Sequence, residues 1–157
     1  MLNMHFFVEL ALWAQVILSA AAIPTSSSHN ERPINNVTIF TPPASWMSHS
    51  TSYARVLLLD KDCEEGNVLL TTWTQSNPGE AYFPIYKSVD GGLSWAELSR
   101  VYFNETATGG ILLQPFIYEL PIQVGKYRAG TILATGNAIP SDFSSTNIDI
   151  YASTDVG

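Results

Sequence analysis

Cysteine is almost absent from this sequence, with Cys63 as the single example among 157 residues. One cysteine cannot form an internal disulfide, and no cysteine–histidine spacing in the chain suits a zinc site. The three histidines, His5, His29 and His49, stand apart without partner residues at metal-ligand spacing. We therefore expect no disulfide framework, no metal ion and no cofactor.

Basic residues are also scarce. The chain has seven Lys and Arg against 14 Asp and Glu, which gives a formal net charge of −7. The basic residues are scattered singly, so no basic stripe exists to neutralise phosphates, and a nucleic-acid partner is not expected. Only 13% of the residues are charged and 46% are hydrophobic, which indicates a packed domain beyond the N-terminal region.

Long hydrophobic runs are missing except near the N-terminus. The run Leu10–Leu18 is followed by the small residues Ala20–Ala22, the pattern of a signal-peptidase site. A membrane-spanning helix needs ~20 apolar residues, and Glu9, Gln15 and Ser19 interrupt this stretch. We therefore predict a signal peptide over 1–22, a secreted extracellular protein, and no membrane association after cleavage.

Two sequons agree with secretion. Asn36-Val37-Thr38 and Asn104-Glu105-Thr106 are both acceptor sequences for N-linked glycan. Asn36 falls in residues 23–45, which are rich in Ser, Thr, Pro and Asn and lack a sustained apolar period. We predict that 23–45 is a leader or linker, with an extended piece at Val37–Phe40 that could pair with a sheet edge.

The stretch Ser88-Val89-Asp90-Gly91-Gly92-Leu93-Ser94-Trp95 lies between two strand-like runs and has the residues of a tight turn. An aspartate can accept hydrogen bonds from backbone N–H groups of its own turn. A glycine can adopt a positive φ, and a tryptophan can bury a large ring between sheets. A second copy begins at Ser153-Thr154-Asp155-Val156-Gly157, at a separation typical of repeated sheets.

These two stretches resemble the Asp-box, or BNR repeat, of the sialidase superfamily. The structural positions are Ser88, Asp90, Gly92, Ser94 and Trp95 in the first copy and Ser153, Asp155 and Gly157 in the second. The family box ends in Thr-Trp, so Ser94 is a mild departure. The resemblance implies a β-propeller, six-bladed in the full-length family, in which the boxes are structural and lie away from the pocket.

The strand pattern fits two consecutive blades. Short strand-like runs from Tyr53 to Tyr102 make four strands with the first box between the third and fourth, and the order repeats from Ile111. We predict an all-β fold in which 46–157 form the first blade and most of the second. The run Arg55–Leu59 is predicted to be an inner strand buried on both faces.

Two polar residues are candidates for substrate binding. Arg55 stands beside the apolar run of the first inner strand, and Asp142 lies in the loop 138–146, at the end opposite the boxes. Sialidases have an arginine near the start of their first blade, often in Arg-Ile-Pro, whereas Val56-Leu57 follows here. Arg55 either binds a carboxylate or hydroxyl in the central pocket or pairs with an acidic neighbour. Asp142 either faces substrate or caps a surface turn.

Within the superfamily the chain most resembles fungal exo-arabinanase-type glycoside hydrolases, family 93. The resemblance implies exo-cleavage of glycosidic bonds in plant or extracellular polysaccharide, with carbohydrate as the partner and a carboxylate pair as the usual catalytic groups. Fewer than two blades are visible, so we expect an N-terminal fragment that is inactive alone, with its catalytic residues unassigned. The alternative is a non-catalytic Asp-box propeller that binds carbohydrate or protein.

Overall fold

Seven β-strands make up nearly all the regular structure in the computed structural model, which describes residues 36–46, 50–60, 67–77 and 80–155. The prediction of an all-β fold is confirmed, because one short 3₁₀ turn, Thr106–Thr108, is the single helical element in those ranges. The predicted signal peptide over 1–22, Cys63 and Gly157 lie outside the described residues. The strands are β1 (Ser50–Leu58), β2 (Leu69–Asn77), β3 (Glu80–Ser88), β4 (Ala96–Tyr102), β5 (Ile111–Glu119), β6 (Ile132–Ile139) and β7 (Asn147–Ser153).

The strands form two antiparallel sheets in simple chain order. The first sheet is β1-β2-β3-β4 and the second is β5-β6-β7. One connection is shorter than the sequence predicted: β6 continues to Ile139, so the predicted loop 138–146 begins at residue 140. Each sheet is a meander, so the turn after its first strand and the turn after its third strand lie at the same end.

The second sheet repeats the first residue by residue. Leu69 pairs with Ser88 in the first sheet, as Ile132 pairs with Ser153 in the second. Counting along these registers makes Leu70 equivalent to Leu133 and Phe83 equivalent to Ile148. Within the described residues, no helix has the length and hydropathy that a membrane span requires.

One face of the first sheet packs on one face of the second. Leu70 and Ile85 share a buried cluster with Ile117 and Ile132 at the end that carries Ser88. Phe83 forms a second buried cluster with Leu112 and Ala138 toward the other end. The sheets therefore run in the same orientation, as consecutive blades of a propeller do.

Part of the opposite face of the first sheet, at β2 and β3, is covered by the chain that precedes the sheet. The prediction that Val37–Phe40 pairs with a sheet edge is wrong, because these residues form no strand. Instead the Phe40 ring lies 5.5 Å from the ring of Trp73 on β2, and Trp73 lies 5.0 Å from the ring of Tyr86 on β3. Trp46 stacks beside Phe40 at 6.1 Å. Burial of aromatic surface thus holds this segment on the sheet without a ladder of backbone bonds.

Strand β1 is more exposed than expected. The prediction that Arg55–Leu59 is buried on both faces is wrong, since Val56 and Leu58 are 60% and 56% exposed. The physical reason is position: β1 is the free edge of its sheet. The second sheet covers the face that carries Leu57, and the described residues leave the other face of β1 open.

Candidate functional site

The inner strands of both sheets carry the same irregularity. The ladder between β1 and β2 shifts between Ser52 and Arg55, and the ladder between β5 and β6 shifts at the equivalent place. Tyr53 and Gln114 occupy the first bulge position in each strand, with φ of 58° and 55°. Positive φ is strained for residues other than glycine. Bulges of this kind re-aim side chains next to functional sites.

The second bulge is held from both sides. The backbone N–H of Gln114 donates to Oγ1 of Thr74 on the first sheet at 3.1 Å. The Gln114 side-chain oxygen accepts from Nδ2 of Asn137 on β6 at 2.9 Å. These bonds fix the strained backbone and leave the exposed Gln114 amide nitrogen without a partner among the described residues.

Arg55 comes directly after the first bulge and is exposed. Its Nη1 donates to the carbonyl oxygen of Ala54 at 3.1 Å, and no carboxylate among the described residues forms an ion pair with it. The predicted alternative of a pair with an acidic neighbour is therefore not formed within those residues. The guanidinium keeps most of its donors available to a ligand.

Asp142 is engaged within its own turn. One carboxylate oxygen accepts from the backbone N–H of Ser144 at 2.9 Å, and the N–H of Phe143 donates to the carbonyl oxygen of Pro140. Hydrogen bonds from Ser144, the backbone bond first, hold the pKa of the exposed Asp142 carboxyl below its ordinary value. No contact joins Asp142 to Arg55 in the described residues, so the structure does not bring the two candidates together.

Sequence reasoning missed a polar cluster on the outer face of β3 and β4. The Arg100 guanidinium forms an ion pair with Glu97 and lies 4.8 Å above the Tyr82 ring. Tyr102 donates its hydroxyl to Glu80 at 3.0 Å. The Arg100 bond lowers the pKa of Glu97. The signal that could have indicated this cluster is the presence of Glu97, Arg100 and Tyr102 in one strand opposite the tyrosines of β3.

The turn Ser88–Trp95 lies at the other end of the sheet and is built around one carboxylate. Oδ1 of Asp90 accepts from the backbone N–H groups of Leu93 and Ser94 at 3.0 Å and 2.9 Å. The same oxygen accepts from the Ser88 hydroxyl at 2.8 Å, and Oδ2 accepts from the Ser94 hydroxyl at 2.6 Å. These bonds, with that of the Ser94 hydroxyl the largest cause, lower the Asp90 pKa to about 2.

Trp95 closes this turn but is not fully buried. Its Nε1 donates to the carbonyl oxygen of Gly92 at 3.0 Å, and its ring is half-buried beside a shallow groove of about 270 Å³. The second copy has the same geometry where it is described: the Ser153 hydroxyl donates to Oδ1 of Asp155 at 2.6 Å. No group of three or more metal-ligating side chains occurs among the described residues.

The Asp90 geometry predicts a pH-dependent stability. The folded-state pKa is lowered from 3.8 to about 2, so this carboxylate stabilises the fold above pH ~4 and stops doing so as the pH falls through about 2. We expect the free energy of unfolding in urea to fall less steeply over this window in Asp90→Asn than in the unmodified chain. Ser94→Ala, which removes one of the donors, should give an intermediate slope. Parallel curves for all three proteins would contradict the assignment of the lowered pKa to this turn.

The chain is similar to solved structures of carbohydrate-active enzymes. No protein-family model and no curated protein matches it. An α-L-arabinofuranosidase from Fusarium graminearum, in complex with an iminosugar inhibitor, is 44% identical over 78% of this chain, with a TM-score of 0.65. The family 93 α-L-arabinofuranosidase of the same organism in complex with arabinobiose is 42% identical over 76%, with a TM-score of 0.62.

A third structure, an α-L-arabinanase from Penicillium chrysogenum in complex with arabinobiose, is 41% identical over 78% of the chain, with a TM-score of 0.60. The chain spans about a third of the length of these relatives, 33%, 32% and 33% respectively. The predicted resemblance to fungal exo-arabinanase-type glycoside hydrolases is therefore confirmed in sequence and in fold. The two sheets are two blades of a partial propeller.

Proposed function

We propose that this chain supplies the first blade and most of the second of a secreted propeller enzyme that cleaves arabinofuranosyl linkages from the end of a polysaccharide. One observation carries the proposal: identity of 41–44% to an α-L-arabinofuranosidase and an α-L-arabinanase, well above the level at which only a fold is shared. Residues 46–157 are the blades in this proposal, and 23–45 lead into them.

The end of the sheets that carries the two bulges is the side proposed to face substrate. Arg55 keeps most of its donors available there and is proposed to bind sugar hydroxyls, since a guanidinium offers several donors in a fixed plane. Asp142 is proposed to shape the neighbouring turn, because its carboxylate already accepts from Ser144. The carboxylate pair that glycosidases use is proposed to come from blades outside this chain.

The turns Ser88–Trp95 and Ser153–Gly157 are proposed to be structural Asp-boxes. The hydrogen bonds of Asp90 saturate its carboxylate from within its own turn, which leaves it little capacity to act on a substrate. The end of the sheet that carries this turn is opposite the bulges, and this separation supports a purely structural role.

The experiment that tests the proposed activity is a hybrid enzyme. This chain replaces the matching third of the Fusarium α-L-arabinofuranosidase, and release of small sugars from arabinan is measured. We expect turnover by the hybrid and a lower kcat/KM in a hybrid that carries Arg55→Ala. A folded hybrid without turnover would favour the alternative, a propeller that binds carbohydrate or protein without cleaving it.

Secretion is a further part of the proposal. Asn104 lies exposed in the turn between the sheets, where an oligosaccharide meets no packed surface. On expression in a eukaryotic secretory host, we expect cleavage near Ala22. Glycosidase treatment should lower the mass of the secreted protein, and Asn104→Gln should make that decrease smaller. Asn36→Gln tests the other sequon in the same way. An intact N-terminus without attached glycan would contradict secretion.

A further inference from the structure

Backbone strain in this chain is concentrated at one end of the two sheets. Five non-glycine residues among those described have a positive φ. Asn36 and Asn67 are two of them, and asparagine tolerates this conformation better than most side chains do. The other three, Tyr53, Gln114 and Phe143, lie at the end that carries the two bulges. Strained residues persist where the surrounding structure holds them, and they cluster at ligand sites.

Gln114 is held at its bulge by both sheets. Its backbone N–H donates to Oγ1 of Thr74 on β2, and its Oε1 accepts from Nδ2 of Asn137 on β6. The next residue, Pro115, is buried, and its ring fixes its own φ. Thr74 belongs to the first sheet and Asn137 to the second, so the position of this one side chain depends on both.

The internal repeat separates what the bulge needs from what the Gln114 side chain does. By the strand registers, Gln114 is equivalent to Tyr53, and Asn137 is equivalent to Thr74. No hydrogen bond within the described ranges holds the Tyr53 side chain. The first bulge therefore forms without such an anchor. The bond from Asn137 orients the side chain of Gln114 rather than its backbone.

This anchor leaves a defined pair of donors on Gln114. Asn137 occupies the side-chain oxygen at 2.9 Å, whereas Nε2 carries two N–H groups that no described residue accepts. The residue is exposed, so these N–H groups can reach an acceptor oxygen of a ligand. The amide is uncharged, and it can contact a neutral sugar without the desolvation cost of an ionised group.

We propose that Gln114 is a substrate-binding residue that determines specificity. Its Nε2 donates to a hydroxyl oxygen of the terminal arabinofuranosyl residue, and Asn137 is the positioning residue that orients the amide. The inference rests on the proposed function, which assigns substrate to the end of the sheets that carries the bulges. A sugar without that hydroxyl loses the hydrogen bond, and this loss is how Gln114 discriminates among sugars.

The test measures arabinobiose binding by calorimetry in the hybrid in which this chain replaces the matching third of the Fusarium α-L-arabinofuranosidase. Arabinobiose is the sugar in the complex of that relative. Gln114→Met keeps the side-chain length and the backbone N–H that donates to Thr74, but it removes both side-chain donors. We expect a dissociation constant about 10-fold higher, the effect of losing one or two hydrogen bonds, and an unchanged melting temperature.

Gln123→Met is the matched control for this variant. Gln123 is also exposed, but it lies in the turn between β5 and β6, at the opposite end of the sheet from the bulges. The same change of side chain there should leave the affinity for arabinobiose unchanged.

The positioning role of Asn137 is tested with a double-mutant cycle. Asn137→Ala should raise the dissociation constant by ~3-fold, because the Gln114 amide must then be ordered when the sugar binds. The double variant with Gln114→Met should bind no more weakly than Gln114→Met alone, since Asn137 then has no amide to orient. Fully additive losses would show that Asn137 affects binding independently of Gln114 and would overturn this role.

Three arabinobioses that each lack one hydroxyl of the terminal arabinofuranosyl residue test the contact itself. One of them should bind equally to the hybrid and to its Gln114→Met variant, because the partner of the amide is missing from the ligand. An undiminished difference for every analogue would show that Gln114 acts without contacting a hydroxyl, and would overturn the inference.

The outcomes separate this inference from the proposed function. Arabinobiose binding that Gln114→Met weakens supports the inference even where the hybrid hydrolyses no arabinan. Turnover of arabinan, together with equal arabinobiose affinity of the hybrid and its Gln114→Met variant, overturns the inference and leaves the proposed function in place. A folded hybrid that binds no arabinobiose contradicts both.

Discussion

Phe83→Ala is expected to destabilise the chain by about 3–5 kcal/mol, the usual effect of removing a fully buried aromatic ring. Phe83 is 0% exposed and joins the two sheets through Leu112 and Ala138. The loss is a large part of the stability of an ordinary domain. Phe116→Ala is the matched control, because Phe116 lies half-exposed on the open face of the second sheet, and it should change the free energy of unfolding by less than ~1 kcal/mol.

The contact between the two sheets also requires a glycine at position 136, and urea unfolding can test this requirement. Gly136→Ala should destabilise by ~1–3 kcal/mol, since its Cβ would lie 2.5 Å from the Phe83 ring and 2.7 Å from the carbonyl oxygen of Leu113. Phe83→Leu should relieve only the first of these contacts, so the double variant should recover part of the loss. Similar destabilisation by Phe83→Ala and Phe116→Ala, or full additivity of Gly136→Ala with Phe83→Leu, would contradict the packing of the two sheets through this contact.

The sequence predicted the strands and their grouping because both depend on local signals. Alternation, breakers and the repeated Ser-x-Asp pattern are readable one segment at a time, and the observed β4 follows the first box and ends at Tyr102, as predicted. The Asp90 turn also depends on residues within four positions of one another. Interactions between residues so close in the chain can be predicted from the local sequence.

The features that sequence reasoning missed depend on distant partners. The bulge at Tyr53 has no local signature, and at Gln114 only the following proline hints at one. Phe40 contacts Trp73 because the fold brings these distant residues together, and no sequence pattern in 23–45 predicts that contact. The exposure of Val56 follows from the position of β1 at a sheet edge, which composition cannot show.

The largest functional effect we expect is the complete absence of turnover by the isolated chain. In the proposed assembly the pocket is bounded by all of the blades, and this chain is proposed to provide one wall of it through Arg55. Among the described residues β7 is an edge of its sheet, and Phe116, Ile148 and Ile150 are exposed on one face of that sheet. Such an edge and such a face invite pairing with other chains. We therefore expect the isolated chain to aggregate at high concentration and to release no sugar from arabinan, sialosides or aryl glycosides. Turnover by a monodisperse monomer, lost in Arg55→Ala, would show that two blades suffice.

The most direct measurement compares arabinan hydrolysis by the isolated chain with hydrolysis by the hybrid in which it replaces the matching third of the Fusarium α-L-arabinofuranosidase. The two proteins contain the same residues of this chain, so any difference reports the blades that complete the ring. We predict no turnover by the isolated chain and clear turnover by the hybrid. A hybrid that unfolds cooperatively as a monomer, yet releases no sugar, would contradict the account that these two sheets are part of an arabinan-cleaving propeller.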